Sequence, residues 1–271
     1  MQAWVDGCPA DALSLTSRGL AYGDGLFETV AVRAGRPVLF ERHLQRLEAA
    51  CARLAIEPDL SRVRDEMVRF AAGLDEGVMK LILTRGDSLR GYAPAPDAPA
   101  RRILQGSAAP SYPAGHYEQG VQLFECQTRL AEQPLLAGLK HLNRLEQVLA
   151  RAEWRDPRYA EGLMRDTSGR PVEGVYSNLF LIRNGVLLTA ALSRCGVAGV
   201  MRGELLDQAR TLGIAVDIRD LSMSDLEQSD ELFVCNSVYG IWPVRGFAQL
   251  NWPVGPLTRK LQSIARVLLG N

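Results

Sequence analysis

Lys140 is the residue of this sequence whose type and position first suggest chemistry. The chain has 31 basic side chains, and only Lys80, Lys140 and Lys260 among them are lysines. An arginine keeps its proton in a protein, whereas a desolvated lysine amine can become neutral and attack a carbonyl carbon. Lys140 lies in the run GLKHLNRLEQVLA, at the start of a leucine-rich predicted helix. The structural alternative is a lysine that packs its stem at a strand end and reaches water.

Two other stretches could hold a phosphate group. The run GVAGVMRGELL (196–206) places small residues before a predicted helix, whose first N–H groups can donate to an anion. His43 and Arg46 share one face of another predicted helix, and an arginine can donate two parallel hydrogen bonds to phosphate. The alternatives are a glycine-bearing turn for the first stretch and an exposed arginine beside a surface histidine for the second.

Three polar residues interrupt or end apolar segments in the second half. Glu173 precedes Gly174, where a carboxylate is either a turn residue or an anion held for a cationic partner. Asn236 and Ser237 follow the strand-like run ELFVC, where they could cap a helix or touch a ligand. An amine, a phosphate site with an arginine and a carboxylate are together the parts that a pyridoxal 5′-phosphate site requires.

The elements that must position these residues follow from hydrophobic periodicity. In the first half, strand-like runs on either side of Ala34-Gly35 predict a hairpin. Two amphipathic helices follow; the first places three leucines and Cys51 on one face, and the second has Asp59 or Ser61 as its N-cap. Two more strands, VMKLILTRG and RRILQGS, end this half.

The second half repeats this mixture of strands and helices. A type I′ turn at Asn184-Gly185 predicts another hairpin, and helices are predicted at residues 199–213 and 256–269. In the helix after Lys140, the apolar residues are expected to face the core. They are Leu142, Leu145, Val148, Leu149 and Ala152.

The domain organisation is predicted from one composition shift. Residues 106–120 are rich in Gly, Pro, Ala and Ser, which favours a linker. We therefore expect an α+β domain at 1–108, a linker at 109–119 and an α+β cofactor-binding domain at 120–271. A cleft between two domains is a common place for a ligand, so we expect the active site there.

The bulk composition excludes several other classes of protein. With 271 residues, 47% hydrophobic and 23% charged, the chain can bury a full core. Zero formal net charge gives no general attraction to nucleic acid or to an anionic membrane. No segment has the length of a membrane span or the pattern of a secretory signal. Five widely spaced cysteines without a CxxC pair, and no HExxH spacing, predict a cytoplasmic protein with no metal site.

Seven stretches together resemble the fold-type IV pyridoxal-phosphate enzymes, a family that includes branched-chain and D-amino acid aminotransferases. The resemblance extends over nearly the whole chain with the order and spacing kept. The stretches are RGLAYGDGLFET (18–29), HLQRL (43–47), LTRGDSLRGY (83–92), GLKHLNRLEQVLARAE (138–153), VEGVYSNLF (172–180), GVAGVMR (196–202) and CNSVYGIWPV (235–244). The lysine run and the tripeptide RGY favour the lyase branch of the family over its transaminases.

The resemblance implies a role for each motif residue. Lys140 would bind the cofactor covalently and, once released, remove a proton from the substrate ring carbon that bears nitrogen. Glu173 would face the pyridine nitrogen of pyridoxal 5′-phosphate, and Arg46 would bind its phosphate. The resemblance implies a two-domain fold-type IV architecture and a homodimer.

Further residues of the resemblance would complete the phosphate site and line the substrate. Backbone amides near Val200 and Met201, with Ser237 or its neighbour Asn236, would join the phosphate site. The substrate-side candidates are Tyr22, Thr29, Arg90 and Tyr92. Two departures from the family pattern, Glu28 and the pair Val175-Tyr176, leave the substrate contacts open, but not cofactor binding.

The reaction implied is that of a lyase of folate biosynthesis. It converts 4-amino-4-deoxychorismate into 4-aminobenzoate and pyruvate. The alternative within the family is an aminotransferase for D- or branched-chain amino acids. An alternative of another class is a non-catalytic, arginine-rich binding domain, against which the zero net charge and the apolar flanks of Lys140 argue.

Overall fold

The computed structural model of the chain describes residues 2–95 and 98–270. These residues form two units, each with its own sheet. The N-terminal unit comprises the described residues up to Pro110 together with Leu139–Asn143 and Gly270. The C-terminal unit comprises Ser111–Gly138 and Arg144–Leu269. Lys140 therefore belongs to the N-terminal unit, although the chain before Leu139 and after Asn143 belongs to the C-terminal unit.

The N-terminal unit is a six-stranded antiparallel sheet with two long helices. The strand order is β2-β1-β6-β5-β3-β4. In chain order the elements are β1 (Gln2–Val5), β2 (Cys8–Pro9), α1 (Arg18–Tyr22), β3 (Gly25–Arg33), β4 (Arg36–Pro37), α2 (Phe40–Leu54), α3 (Leu60–Leu74), β5 (Gly77–Thr84) and β6 (Arg101–Ser107). The class of each long element in this unit agrees with its sequence pattern.

Periodicity explains why these helices pack as they do. The predicted face of α2 is confirmed, because Leu44, Leu47 and Cys51 are buried. α3 begins at its predicted cap, since the Asp59 side chain accepts a hydrogen bond from the Arg62 N–H at 3.0 Å. The first hairpin turns at Ala34-Gly35, as the dipeptide predicted.

The C-terminal unit is built on a nine-stranded mixed sheet. The strand order is β12-β11-β10-β13-β14-β7-β8-β9, with β15 on β14. Its elements are α4 (Ala114–Glu118), β7 (Val121–Leu130), α5 (Leu145–Ala152), β8 (Tyr159–Asp166), β9 (Pro171–Gly174), β10 (Asn178–Arg183), β11 (Val186–Ala190), α6 (Val200–Thr211), β12 (Val216–Arg219), α7 (Met223–Glu227), β13 (Glu231–Asn236), β14 (Gly240–Phe247), β15 (Leu250–Asn251) and α8 (Pro256–Leu268).

Strand β9 closes part of this sheet on itself. It pairs with β8, and it also pairs with β10 through Glu173 and Asn178. The six strands β10, β13, β14, β7, β8 and β9 thereby form a closed ring. Buried apolar side chains such as Leu163, Leu181 and Trp242 form the core of this unit. The α+β fold class expected from the sequence is confirmed.

The boundary between the units differs in detail from the predicted linker at 109–119. The second unit begins at Ser111, and residues of the predicted linker form helix α4. The larger difference is the segment Leu139–Asn143, which pairs with strand β3, more than 100 residues earlier in the sequence. No local composition signal reports such pairing.

The predicted core face of the helix after Lys140 is wrong. The helix begins only at Leu145, and Leu145, Val148 and Leu149 are exposed, Leu145 to 75%. Ala150 is the buried residue of this helix. Periodicity identifies an apolar face, but it does not tell whether that face packs on the same chain.

Within residues 2–95 and 98–270, no helix combines the length and the apolar composition needed to cross a membrane.

Candidate active site

Lys140 lies in an extended segment that is paired with strand β3. The Phe27 N–H donates to the Lys140 carbonyl at 2.9 Å, and the Leu142 N–H donates to the Gly25 carbonyl at 3.0 Å. The Lys140 amine lies 4.3 Å from the centre of the Phe27 ring, a cation–π distance. The lysine is therefore fixed by strand pairing and lies five residues before the first residue of α5, the helix at whose start the sequence pattern placed it.

The residue after Phe27 begins a buried charged cluster. Successive side chains of a strand point to opposite faces, so Glu28 points away from the Phe27 face. Glu28 is buried beneath α2, where the His43 Nδ1 lies 2.6 Å from its Oε2 and the Arg46 Nε lies 2.8 Å from its Oε1. A second guanidinium nitrogen of Arg46 also bonds Glu28. We call Glu28, His43 and Arg46 the α2 cluster.

The charges of the α2 cluster follow from burial and from its pairing. Burial alone would raise the pKa of Glu28, but the charge of Arg46 and the hydrogen bond with His43 lower it to about 2. Burial lowers the pKa of His43, although Glu28 opposes this change. At neutral pH the cluster therefore contains an ionised Glu28, a neutral His43 and a charged Arg46. The charge of Lys140 also lowers the pKa of His43, so the lysine acts on this cluster electrostatically.

In the C-terminal unit, Glu173 is held by two neighbours. It lies in β9 with 3% of its surface exposed, and its Oε2 accepts the Val197 N–H at 2.8 Å. The Asn178 amide lies 3.5 Å from the same oxygen and donates to the Val197 carbonyl at 2.8 Å. The first alternative from the sequence, a simple turn residue, does not fit a buried strand carboxylate with these partners.

Glycines bring the 196–199 segment close to Glu173. Gly196 has a φ of +83°, and a Cβ there would lie 2.7 Å from a methyl carbon of Leu192 and 3.2 Å from the Glu173 carboxylate. A Cβ on Gly199 would overlap the Asn178 side-chain oxygen. These glycines are therefore required by close approach, not only by a turn.

The N-terminus of α6 follows these glycines directly. The N-cap of α6 is Gly199, which supplies no side-chain hydrogen bond, and Val200 and Met201 are its first two helical residues. The first N–H groups of a helix lack partners within the helix and attract anions. This arrangement can therefore bind a phosphate group.

Asn236 and Ser237 lie where β13 ends. The Asn236 side-chain oxygen accepts the N–H groups of Val238 and Tyr239, at 2.9 and 3.0 Å. Its amide donates to the Tyr176 carbonyl at 3.3 Å. Asn236 thus forms the turn between β13 and β14, while Ser237 is half-buried within that turn. Their predicted roles toward a phosphate remain predictions.

The substrate-side candidates all belong to the N-terminal unit. The rings of Tyr22 and Tyr92 lie 5.4 Å apart, and Arg90 is exposed on the same loop as Tyr92. Thr29 follows Phe27 by two residues in β3, so both side chains lie on the same face of that strand. The carboxylate of Glu28, one of the departures from the family pattern, is hydrogen-bonded to Arg46 and His43.

Sequence reasoning missed Glu161, which holds the turn between β9 and β10. Its carboxylate accepts the N–H groups of Gly162 and Val175, at 2.8 and 3.0 Å, and the Ser177 hydroxyl at 2.7 Å. The group is fully buried, and burial raises its pKa to about 7 against these hydrogen bonds. A glutamate inside the apolar strand EGLM was the available signal.

The family is shown by comparison with known proteins. The family model for class IV amino-transferases matches residues 25–247. The chain belongs to this family, as the sequence resemblance predicted.

Particular relatives are similar to nearly the whole chain. An aminodeoxychorismate lyase of Vibrio harveyi is 35% identical over 96% of this chain and 97% of its own length. A crystal structure of 4-amino-4-deoxychorismate lyase from Pseudomonas aeruginosa has a TM-score of 0.96 and 62% identity, with 98% of each chain covered. A D-alanine aminotransferase of Listeria monocytogenes is 27% identical over 92% of this chain and 88% of its own length.

Proposed function

We propose that this chain is a lyase that converts 4-amino-4-deoxychorismate into 4-aminobenzoate and pyruvate with pyridoxal 5′-phosphate as its cofactor. The observation that carries the proposal is the similarity to lyases of that activity, at 35% and 62% identity over nearly full length. The aminotransferase relative is more distant, at 27% identity. The lysine that the chemistry needs is present and fixed against β3.

The residues present fit the cofactor. A buried carboxylate with fixed orientation, Glu173, suits a protonated pyridine nitrogen. Glycines let the segment before α6 pack closely on Asn178 and Glu173, and the amides at the start of α6 suit a phosphate. We propose that Lys140 binds the cofactor covalently and that Val200 and Met201 amides bind its phosphate.

Three more side chains complete the proposed cofactor site. Arg46, Asn236 and Ser237 are assigned to the phosphate. Arg46 donates to Glu28, and Glu28 is also bonded by His43, so these two residues fix the orientation of the guanidinium. Replacing Arg46 with alanine should weaken cofactor retention more than it slows turnover at saturating cofactor.

The reaction needs a proton to be moved from the substrate ring. When bound, pyridoxal phosphate withdraws electrons from the carbon that bears the substrate nitrogen. The Lys140 amine, held by backbone pairing at a fixed place on β3, accepts the proton from that carbon. Glu173 keeps a proton on the pyridine nitrogen through a charge-assisted hydrogen bond. Cleavage of the ring C–O bond would then make the ring aromatic, which drives the elimination, and the departing enolpyruvate would take up a proton at its methylene carbon to become pyruvate.

The test is product analysis on the purified protein. Incubation with 4-amino-4-deoxychorismate should yield 4-aminobenzoate and pyruvate in equal amounts. The Lys140→Ala variant should lose this activity and the absorbance of lysine-bound cofactor, whereas Lys260→Ala, which changes an exposed lysine of α8, should retain both. Amino transfer to a keto acid in place of 4-aminobenzoate formation would establish the aminotransferase alternative instead.

We further propose that the protein is a cytoplasmic homodimer that acts in folate biosynthesis. Three large apolar side chains of α5, Leu145, Val148 and Leu149, are exposed and share one face of the helix by their spacing, which is typical of a surface covered by a second subunit. All five cysteines are unpaired, as in proteins of reducing compartments. Light scattering after gel filtration measures the oligomer; a monomer at micromolar concentration would refute the dimer.

A further inference from the structure

The loop 88–93, which carries Arg90 and Tyr92, has neither helix nor strand structure. Its large side chains are turned to solvent: Leu89 is 94% exposed and Tyr92 is 86% exposed. A loop of this kind loses much conformational freedom when it binds a ligand, unless its backbone is already held. Binding by this loop is therefore favoured if other residues hold its backbone in place.

The base of the loop is held by backbone pairing. The Arg18 N–H donates to the Gly86 carbonyl at 2.9 Å, and the Ser88 N–H donates to the Thr16 carbonyl at 3.0 Å. Ser17 and Asp87 form an isolated bridge between these bonds. This pairing ends at Ser88, before the exposed part of the loop.

The exposed part is held by one buried side chain. Arg18 is the first residue of α1, and only 4% of its surface is exposed. Its two terminal nitrogens donate to a row of acceptors along the loop. These are Ser88 Oγ at 3.0 Å, Gly91 O at 3.2 Å, Tyr92 O at 2.8 Å and Ala93 O at 3.4 Å. One guanidinium thus fixes the carbonyls of three consecutive residues.

Arg18 is itself fixed on its other side. Its Nε donates to Asp24 Oδ2 at 2.8 Å, and Arg85 donates to the same carboxylate. Burial raises the pKa of Asp24, but hydrogen bonds from Arg85 and Arg18 bring it below its ordinary value, so the anchor is ionised at neutral pH. A planar guanidinium can serve an anion and several carbonyls at once, whereas a lysine amine has only three donors at one point.

Helix α1 is seated firmly enough to act as the support. A Cβ on Gly19 would overlap the Thr84 methyl group, so α1 lies directly on the end of β5. The Tyr22 ring of the same helix lies 5.1 Å from the Arg18 guanidinium carbon and contacts the Tyr92 ring. The loop is therefore supported from behind by a helix that is packed on the sheet.

We propose that Arg18 is a positioning residue for substrate specificity: it preorganises the loop 88–93 so that Arg90 and Tyr92 meet a carboxylate-bearing ring substrate. This inference rests on the proposed function. Arg18 acts through the loop and touches neither substrate nor cofactor. Its loss should therefore weaken substrate binding more than the chemical step.

The experiment compares Arg18→Lys with Arg64→Lys in the cofactor-loaded protein. Arg64, in α3, also donates two hydrogen bonds to one carboxylate, that of Glu41, but this pair is exposed on the surface. Limited trypsin digestion reports the mobility of the loop through the cleavage rate after Arg90, and steady-state kinetics report KM and kcat. Cofactor absorbance and thermal unfolding show that each variant is loaded and folded. If Arg18→Lys does not fold, Asp24→Asn loosens the same support and replaces it in each measurement.

We expect Arg18→Lys to be cleaved after Arg90 about tenfold faster than the wild type, because local opening governs proteolysis. KM should rise about tenfold while kcat stays within about threefold, and Arg64→Lys should match the wild type. An unchanged cleavage rate would overturn the support by Arg18. Faster cleavage with unchanged KM would overturn its role toward the substrate. The digestion requires no substrate, so the two proposals can fail separately. A wild type without lyase activity would refute the proposed function. The cleavage rates would still show whether Arg18 holds the loop 88–93.

Discussion

Arg46 donates to both carboxylate oxygens of Glu28, with 2.8 Å between Arg46 Nε and Glu28 Oε1. His43 bonds the same carboxylate from one turn earlier on α2. The arginine proposed to bind the cofactor phosphate is therefore held by an ionised, buried carboxylate. This relationship gives a direct prediction about stability.

Replacing Glu28 with glutamine should destabilise the protein strongly. The neutral amide would leave the Arg46 charge buried without its anion, and removing one partner of a buried pair costs about 3–5 kcal/mol. Urea unfolding of the wild type and Glu28→Gln measures this difference. Glu41→Gln is the matched control, because Glu41 binds Arg64 on the surface and its loss should matter far less. Equal effects of the two substitutions would show that the α2 cluster is not a buried ion pair.

The sequence predicted this arginine and this histidine as neighbours, but not the carboxylate between them. Helical spacing brings residues three apart together, which is local information. Glu28 reaches them because β3 lies beneath α2, and that contact joins positions 15 and 18 residues apart. The sequence therefore predicted α2 and its buried face, but not that Glu28 of β3 faces it.

The same limit explains the errors around Lys140. Lysine scarcity and the motif made this residue a candidate, but its pairing with β3 depends on a strand more than 100 residues away. The apolar face of α5 was recognised as apolar, but it is exposed in this chain. By contrast, the hairpin at Asn184-Gly185 was predicted, because its two positive φ values of 51° and 76° depend only on local residue types.

Glu173→Gln should keep the cofactor but reduce kcat. The proposed covalent bond to Lys140 and the proposed phosphate contacts would remain, whereas the amide cannot stabilise a proton on the pyridine nitrogen by charge. Loss of one positioned electrostatic partner typically lowers the rate about 10²–10³-fold. Absorbance of the bound cofactor and kcat are measured side by side, with the exposed Glu227→Gln as control. A turnover within about threefold of the wild type would rule out this role for Glu173.

Glu161 should make stability decline with rising pH. Burial raises its pKa from an ordinary 4.5 to about 7. Between these values the folded protein keeps a proton that the unfolded chain releases, so the free energy of unfolding falls as pH rises. The decline from this group amounts to about 3 kcal/mol by pH 7 to 8. Glu161→Gln has no proton to release there and should lack this component.

Urea unfolding of the wild type and Glu161→Gln between pH 5 and pH 8 tests this difference. The other titrating groups are common to both proteins, so the gap between their curves isolates Glu161. The wild type should lose stability relative to the variant as the pH rises. Parallel curves would mean that the carboxyl group titrates at its ordinary pKa.

Gly199→Ala should impair cofactor binding without unfolding the C-terminal unit. The added methyl group would overlap the Asn178 side-chain oxygen, and Asn178 also bonds the Val197 carbonyl and lies beside Glu173. Displacing that side chain disturbs both the carboxylate and the start of α6, so we expect cofactor affinity to fall at least about tenfold, or about 1.4 kcal/mol. The control is Gly73→Ala, because a Cβ at that position in α3 meets only Gln2, at an ordinary 3.6 Å. Titration of the cofactor-free proteins with pyridoxal phosphate, followed by absorbance, measures both affinities. If Gly199→Ala binds as tightly as Gly73→Ala, the α6 start does not form the phosphate site.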